Sequence, residues 1–106
     1  MTVEHGFHAT MTARPGSGDA VVRLLLAAPS LSDEDCVVFL VSRSAADPDV
    51  VHVTEGWSSQ QAHASFFATE AAQTLVARLQ ALLVGESHYV DAVPVGGKAA
   101  FDAVTG

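Results

Sequence analysis

The chain has 106 residues, 49% of them apolar, and a formal net charge of −7. So apolar a chain folds around a core rather than staying disordered. Its five basic residues, Arg14, Arg23, Arg43, Arg78 and Lys98, are scattered, which excludes the basic patch of a nucleic-acid binder and disfavours anionic membranes.

Residues Gly6 to Ala13 alternate, with Phe7, Ala9, Met11 and Ala13 on one face and His8, Thr10 and Thr12 on the other. This predicts a half-buried strand. Arg14-Pro15-Gly16-Ser17-Gly18 is a turn with Ser17 as the expected N-cap. Val21, Val22, Leu25 and Leu26 follow helical spacing over Asp19 to Ala28, and Pro29 stops that helix.

After a polar loop, Cys36 to Val41 is an unbroken apolar run, which predicts a strand covered on both faces. Ser42 to Asp49 is a hairpin loop, and Val50 to Trp57 alternates as a third strand. Ser58 and Gln61 then make an expected capping box for a helix running to about Ala68. Thr69 caps a second segment with Leu75, Val76, Leu79, Leu82 and Leu83 at helical spacing, closed by Gly85. Ser87 to Val95 reads as a fourth strand, and the tail 96–106 holds one buriable ring, Phe101.

Strand, helix, strand, strand, helix, strand is the ferredoxin-like α+β order, βαββαβ. It predicts a four-stranded antiparallel sheet with the first and third strands central and helices on one face. The uncovered face and the apolar surplus together predict a homodimer. The expected organisation is one domain over residues 1–106, with a core of about 5–95. Cys36 is the only cysteine, so no intrachain disulfide or thiolate metal cage is available. No basic start precedes an apolar run, and no run spans a bilayer, so a cytoplasmic protein is expected. The absence of Ile and Asn fits GC-rich, bacterial coding.

Glu55-Gly56-Trp57 at the end of the third strand, followed by Ala62 on the next helix and preceded by the Arg14-Pro15-Gly16 turn, resembles the antibiotic biosynthesis monooxygenase family. The resemblance covers roughly His5 to Val95. It implies a dimeric α+β barrel more firmly than any one reaction, because the family includes cofactor-independent oxygenases of aromatic polyketides, haem-degrading enzymes and an isomerase of a small signalling molecule. Many relatives carry a histidine nine residues after the tryptophan, where this chain has Phe66; His63 lies three residues earlier. The asparagine that haem-degrading members use on the first strand falls near Ala9, which makes haem degradation an unfavoured reading.

The resemblance therefore implies oxidation of a small aromatic or polyketide-like compound with no flavin, metal or other cofactor. A hydroxyaromatic would be deprotonated, and its anion would pass an electron to dioxygen. Trp57 is the expected ring-stacking residue, with Phe66, Phe67, Met11 and Phe39 lining the pocket. His63 and Glu55 are the candidate bases, and Tyr89 the candidate hydrogen-bond donor to a substrate oxygen. Glu55 is alternatively an ion-pair partner of Arg14. A dimeric module that binds a hydrophobic small molecule without turnover, or an isomerase of a small metabolite, are the alternatives. His8, His52 and His88 lie together on the polar sheet face, but their spacing matches no metal motif, so no metal is expected.

Overall fold

The structure, a computed structural model, describes residues 2–101. Its elements are β1 (His5–Thr12), α1 (Gly18–Leu26), a 3₁₀ turn (Pro29–Ser32), β2 (Cys36–Arg43), β3 (Val50–Trp57), α2 (Gln60–Phe67), α3 (Glu70–Leu82) and β4 (His88–Asp91). The sheet order is β2-β3-β1-β4 with every neighbour antiparallel. This is the ferredoxin-like α+β architecture that the order of elements predicts.

Register sets the two faces. Phe7 pairs with Glu55, Ala9 with Val53 and Met11 with Val51. Strand side chains alternate, so these residues share the face beneath the helices. Ala9, Met11, Val51 and Val53 pack there with Val21 and Leu25 of α1 and Leu79 of α3. Each fully buried valine contributes roughly 1.5–3 kcal/mol over an exposed one. The opposite face carries His8 against Thr54 and Thr10 against His52.

Several boundaries and caps differ from expectation. Helix α1 ends at Leu26 because Ala28 precedes a proline and is extended, with φ −64° and ψ 142°. Ser17 makes no side-chain cap. Asp49 of the β2–β3 hairpin takes its place: its carboxylate accepts from the backbone N–H of Gly16 at 3.0 Å and of Gly18 at 2.9 Å. The N-cap of α2 is Ser59, not Ser58; its hydroxyl accepts from the Ala62 N–H at 3.0 Å, whereas Ser58 donates to Asp35. Thr69 caps α3 as expected, accepting from the Ala72 N–H.

Strand β2 continues past Val41 to Arg43, whose guanidinium meets Asp19 of α1 at 2.7 Å. It is an edge strand, and its residues Cys36 to Val41 are half-buried. The expectation of cover on both faces is thus corrected within a single chain. Strand β4 stops at Asp91 rather than Val95. The Ala92 N–H makes a bond to the Gly6 carbonyl, and Pro94, which has no N–H, cannot continue the ladder. Pro94 instead lies over Gly6 and Gly56, where an added Cβ would sit 2.8 Å and 3.1 Å from its ring. Phe101 is exposed rather than buried, and the remaining tail lies outside the described residues.

Candidate functional site

Between the helix-covered end of the sheet and the helices α2 and α3 lies a half-open cavity of about 480 Å³. Strand alternation and one helix turn build it. On β1, His5, Phe7 and Met11 point into it from alternating positions; on β3, Glu55 does so, with Phe39 beside it on β2. From α2 come His63, Phe66 and Phe67, at the three- and four-residue steps that put them on one helix face. Tyr89 and Asp91 of β4 close the far side.

The candidates Glu55, His63, Tyr89, Met11, Phe39, Phe66 and Phe67 therefore share one cavity. Trp57 does not stand at its mouth. Its ring is 0% exposed and lies behind the lining. Its ring centroid is 5.0 Å from His63 and 5.0 Å from Phe66. Its Nε1–H donates to Glu55 Oε1 at 2.8 Å. The indole thus props two lining rings and aims a carboxyl group, and direct stacking on a ligand is not the geometry seen. Arg14 is not the partner of Glu55; its Nε–H donates to the Ala81 carbonyl.

Electrostatics mark two groups. Burial pushes the Glu55 carboxyl above its ordinary value, and the Trp57 N–H pulls partly against that rise. Burial, with the neighbouring His5 ring adding to it, holds the His63 imidazole below its ordinary value. His63 is therefore neutral and keeps a lone pair in neutral water. Its Nδ1 lies 3.1 Å from Nε2 of His5. Tyr89 is 59% exposed and meets Phe7 edge-on at 5.6 Å. Among the described residues no lysine or arginine lines the cavity. Cys36 opens β2 outside the lining; burial, with Glu55 and then Asp33 adding, pushes its thiol up to about 12. That leaves it protonated and unreactive.

His5, Phe7 and Asp91 are lining residues that the sequence reading missed. The signal was present: His5 and Phe7 continue the parity of Met11, and Asp91 that of Tyr89. Starting the first strand at Gly6 hid His5. The polar face behaves differently. His8 Nδ1 lies 3.1 Å from Thr54 Oγ1, and Thr10 Oγ1 lies 3.0 Å from His52 Nδ1. The His8 and His52 rings stack at 5.5 Å. Among the described residues no three His, Cys, Asp or Glu side chains gather as a metal site.

The family described as antibiotic biosynthesis monooxygenase matches residues 5–78. Similar solved structures include a candidate antibiotic biosynthesis monooxygenase from Chloroflexus aurantiacus, 30% identical over 90% of this chain and 96% of its own, with a TM-score of 0.73. A Pseudomonas aeruginosa protein is 24% identical over 91% of this chain and 98% of its own, at TM-score 0.75. A Mycobacterium tuberculosis protein is 18% identical over 90% and 98%, also at TM-score 0.75. The last two speak to fold alone. No curated protein matches the sequence. Among the described residues no helix is long and apolar enough to cross a membrane.

Proposed function

The chain belongs to the antibiotic biosynthesis monooxygenase family, and on that premise we propose that it oxidises an uncharged hydroxyaromatic or polyketide-like compound in the Glu55–His63 cavity. The observation that carries this reading is an aromatic-walled cavity, lined by no lysine or arginine, that holds both the His63 imidazole and the half-buried Glu55 carboxyl. A cavity of about 480 Å³ suits a multi-ring molecule. The carboxyl groups of Glu55 and Asp91, with no lysine or arginine opposite, disfavour an anion.

The chemistry asks little of the protein beyond a base, orientation and dryness. A methylene flanked by hydroxylated rings loses a proton to His63 Nε2. The resulting anion gives one electron to dioxygen, and the radical pair combines to a peroxide. Loss of water leaves a ketone, so that one methylene and one dioxygen become one ketone and one water. Glu55, steered by Trp57, orients the substrate hydroxyl, and Tyr89 donates to a carbonyl oxygen.

The opposite, open sheet face is covered in this reading by a second copy of the chain. Val38 and Leu40 on the edge strand β2 stand there half-buried beside the His–Thr pairs of β1 and β3. This is the surface a second copy would take.

Oxygen uptake with a panel of hydroxyanthrones tests the reading. The parent protein should consume one dioxygen per ketone formed. His63→Phe should lose roughly 10²–10⁴-fold, the usual contribution of a general base. Activity should fall on acidification below the ordinary histidine range, because the His63 value is lowered. Ligand-induced thermal stabilisation without oxygen uptake would replace this reading with a non-catalytic binding module.

A further inference from the structure

His5 and His63 come from opposite layers of the fold, one from the start of β1 and one from α2, yet their ring nitrogens lie 3.1 Å apart. Both side chains line the cavity. The rings also face each other at a centroid separation of 5.0 Å. At 3.1 Å a single proton fits between two neutral imidazoles, because each ring has one N–H and one lone pair. Which ring supplies it decides what the other nitrogen of His63 can do. If His5 donates, His63 Nε2 carries a hydrogen and can only donate. If His63 Nδ1 donates, Nε2 keeps its lone pair.

We propose that His5 is the positioning residue of the site: it accepts the His63 Nδ1–H, leaves His63 Nε2 bare as the base, and shares the proton that His63 collects. This rests on the proposed oxidation for its catalytic meaning, though not for its geometry. Only this arrangement lets His63 become an imidazolium without setting two N–H groups against each other. The pair then takes up one added proton, not two, since the second would place like charges side by side. The proton leaves the substrate carbon for His63 Nε2 and stays on the pair while dioxygen is reduced. It returns to the peroxide oxygen as water departs, so the cycle has no net proton change. Two phenylalanine rings pack against His63: Phe7 lies tilted at 5.6 Å and Phe67 edge-on at 6.1 Å. The other titratable groups at the cavity are Glu55 on β3 and Tyr89 and Asp91 on β4.

Nitrogen-15 NMR of the histidine rings reads this without any substrate. In the parent at pH 8, His63 should be mainly the Nδ1–H tautomer, with Nε2 resonating as an unprotonated nitrogen. His5→Phe keeps an aromatic ring against His63 and should shift the population to Nε2–H, the form favoured in water. His5→Gln offers an amide oxygen to Nδ1–H and should restore the parent tautomer. In oxygen-uptake assays His5→Phe should lose roughly 10- to 100-fold in kcat with little change in KM, short of the loss on removing a whole base. His5→Gln should recover most of it. A parent spectrum showing His63 as Nε2–H, or a tautomer unmoved in His5→Phe, overturns the proposal whatever the activity. The expected tautomers with no turnover on any hydroxyanthrone would leave the pair standing and remove the oxidation.

Discussion

The two faces of the central strands are made from the same eight-residue segments, yet they are finished in different ways. Beneath the helices, Ala9, Val51 and Val53 are fully buried and Glu55 is held by an indole. On the other side, His8, Thr10, His52 and Thr54 stay half-exposed and pair across the strands. The inner face is completed by this chain, and its leftover space is a cavity with one perturbed acid and one perturbed base. The outer face satisfies its hydrogen bonds but not its apolar edge. Alternation divided the two faces, and the helices chose which became a site.

The contrast can be broken most strongly at Trp57. Trp57→Ala removes the largest fully buried side chain and leaves the Glu55 carboxyl without its donor. It should cost about 3–5 kcal/mol in urea denaturation, with cavity formation and an unpaired half-buried group both contributing. A matching truncation on the outer face, Thr54→Ala, should stay near ~1 kcal/mol. Equal losses would mean the faces do not differ as described.

Self-association sharpens the other side of the comparison. Leu40 sits opposite Thr54 on the outer face. In the proposed homodimer, Leu40→Glu should weaken association by roughly tenfold or more in analytical ultracentrifugation, since it buries an unpaired charge in the contact. The far-ultraviolet spectrum should be unchanged. An unaltered dimer would place the contact elsewhere.

Glu55 gives a smaller, pH-dependent effect. Its folded value is raised, so the folded state binds the proton more tightly than the unfolded chain does. Its contribution is therefore fully favourable below the ordinary carboxylate range and is lost as pH rises through the raised value. Glu55→Gln keeps an acceptor for Trp57 and removes that loss. It should melt higher than the parent at pH 8 and alike at pH 4. The smallest effect concerns Cys36, whose thiol is pushed up to about 12. Iodoacetamide should label it in the native protein far more slowly than in urea.

Most of the fold was legible because it rests on short-range rules. Period-two runs gave β1 and β3, helical spacing gave α1 and α3, and their order gave the topology. Caps failed where the acceptor comes from far along the chain: nothing local says that Asp49 rather than Ser17 closes α1. The end of β4 depends on where Pro94 crosses two glycines, which is a tertiary fact. Parity placed Met11 on the cavity face of β1, whereas His63, Phe66, Phe67 and Tyr89 were named through the family resemblance. Parity could not place Trp57 behind the lining, because depth depends on how α2 lies over the strand. Nor could it bring His5 to His63, whose meeting needs the whole βαββαβ closure.

The inner cavity, not the polar face, is the proposed seat of an aromatic ligand. Intermolecular nuclear Overhauser effects with a bound uncharged hydroxyanthraquinone measure this directly. Contacts from the ligand protons to Phe7, Met11, Phe66 and Tyr89, with none to Thr10 or Thr54, are the expected result. Contacts confined to the threonine face, or saturating binding with no contact to the cavity residues, would contradict it.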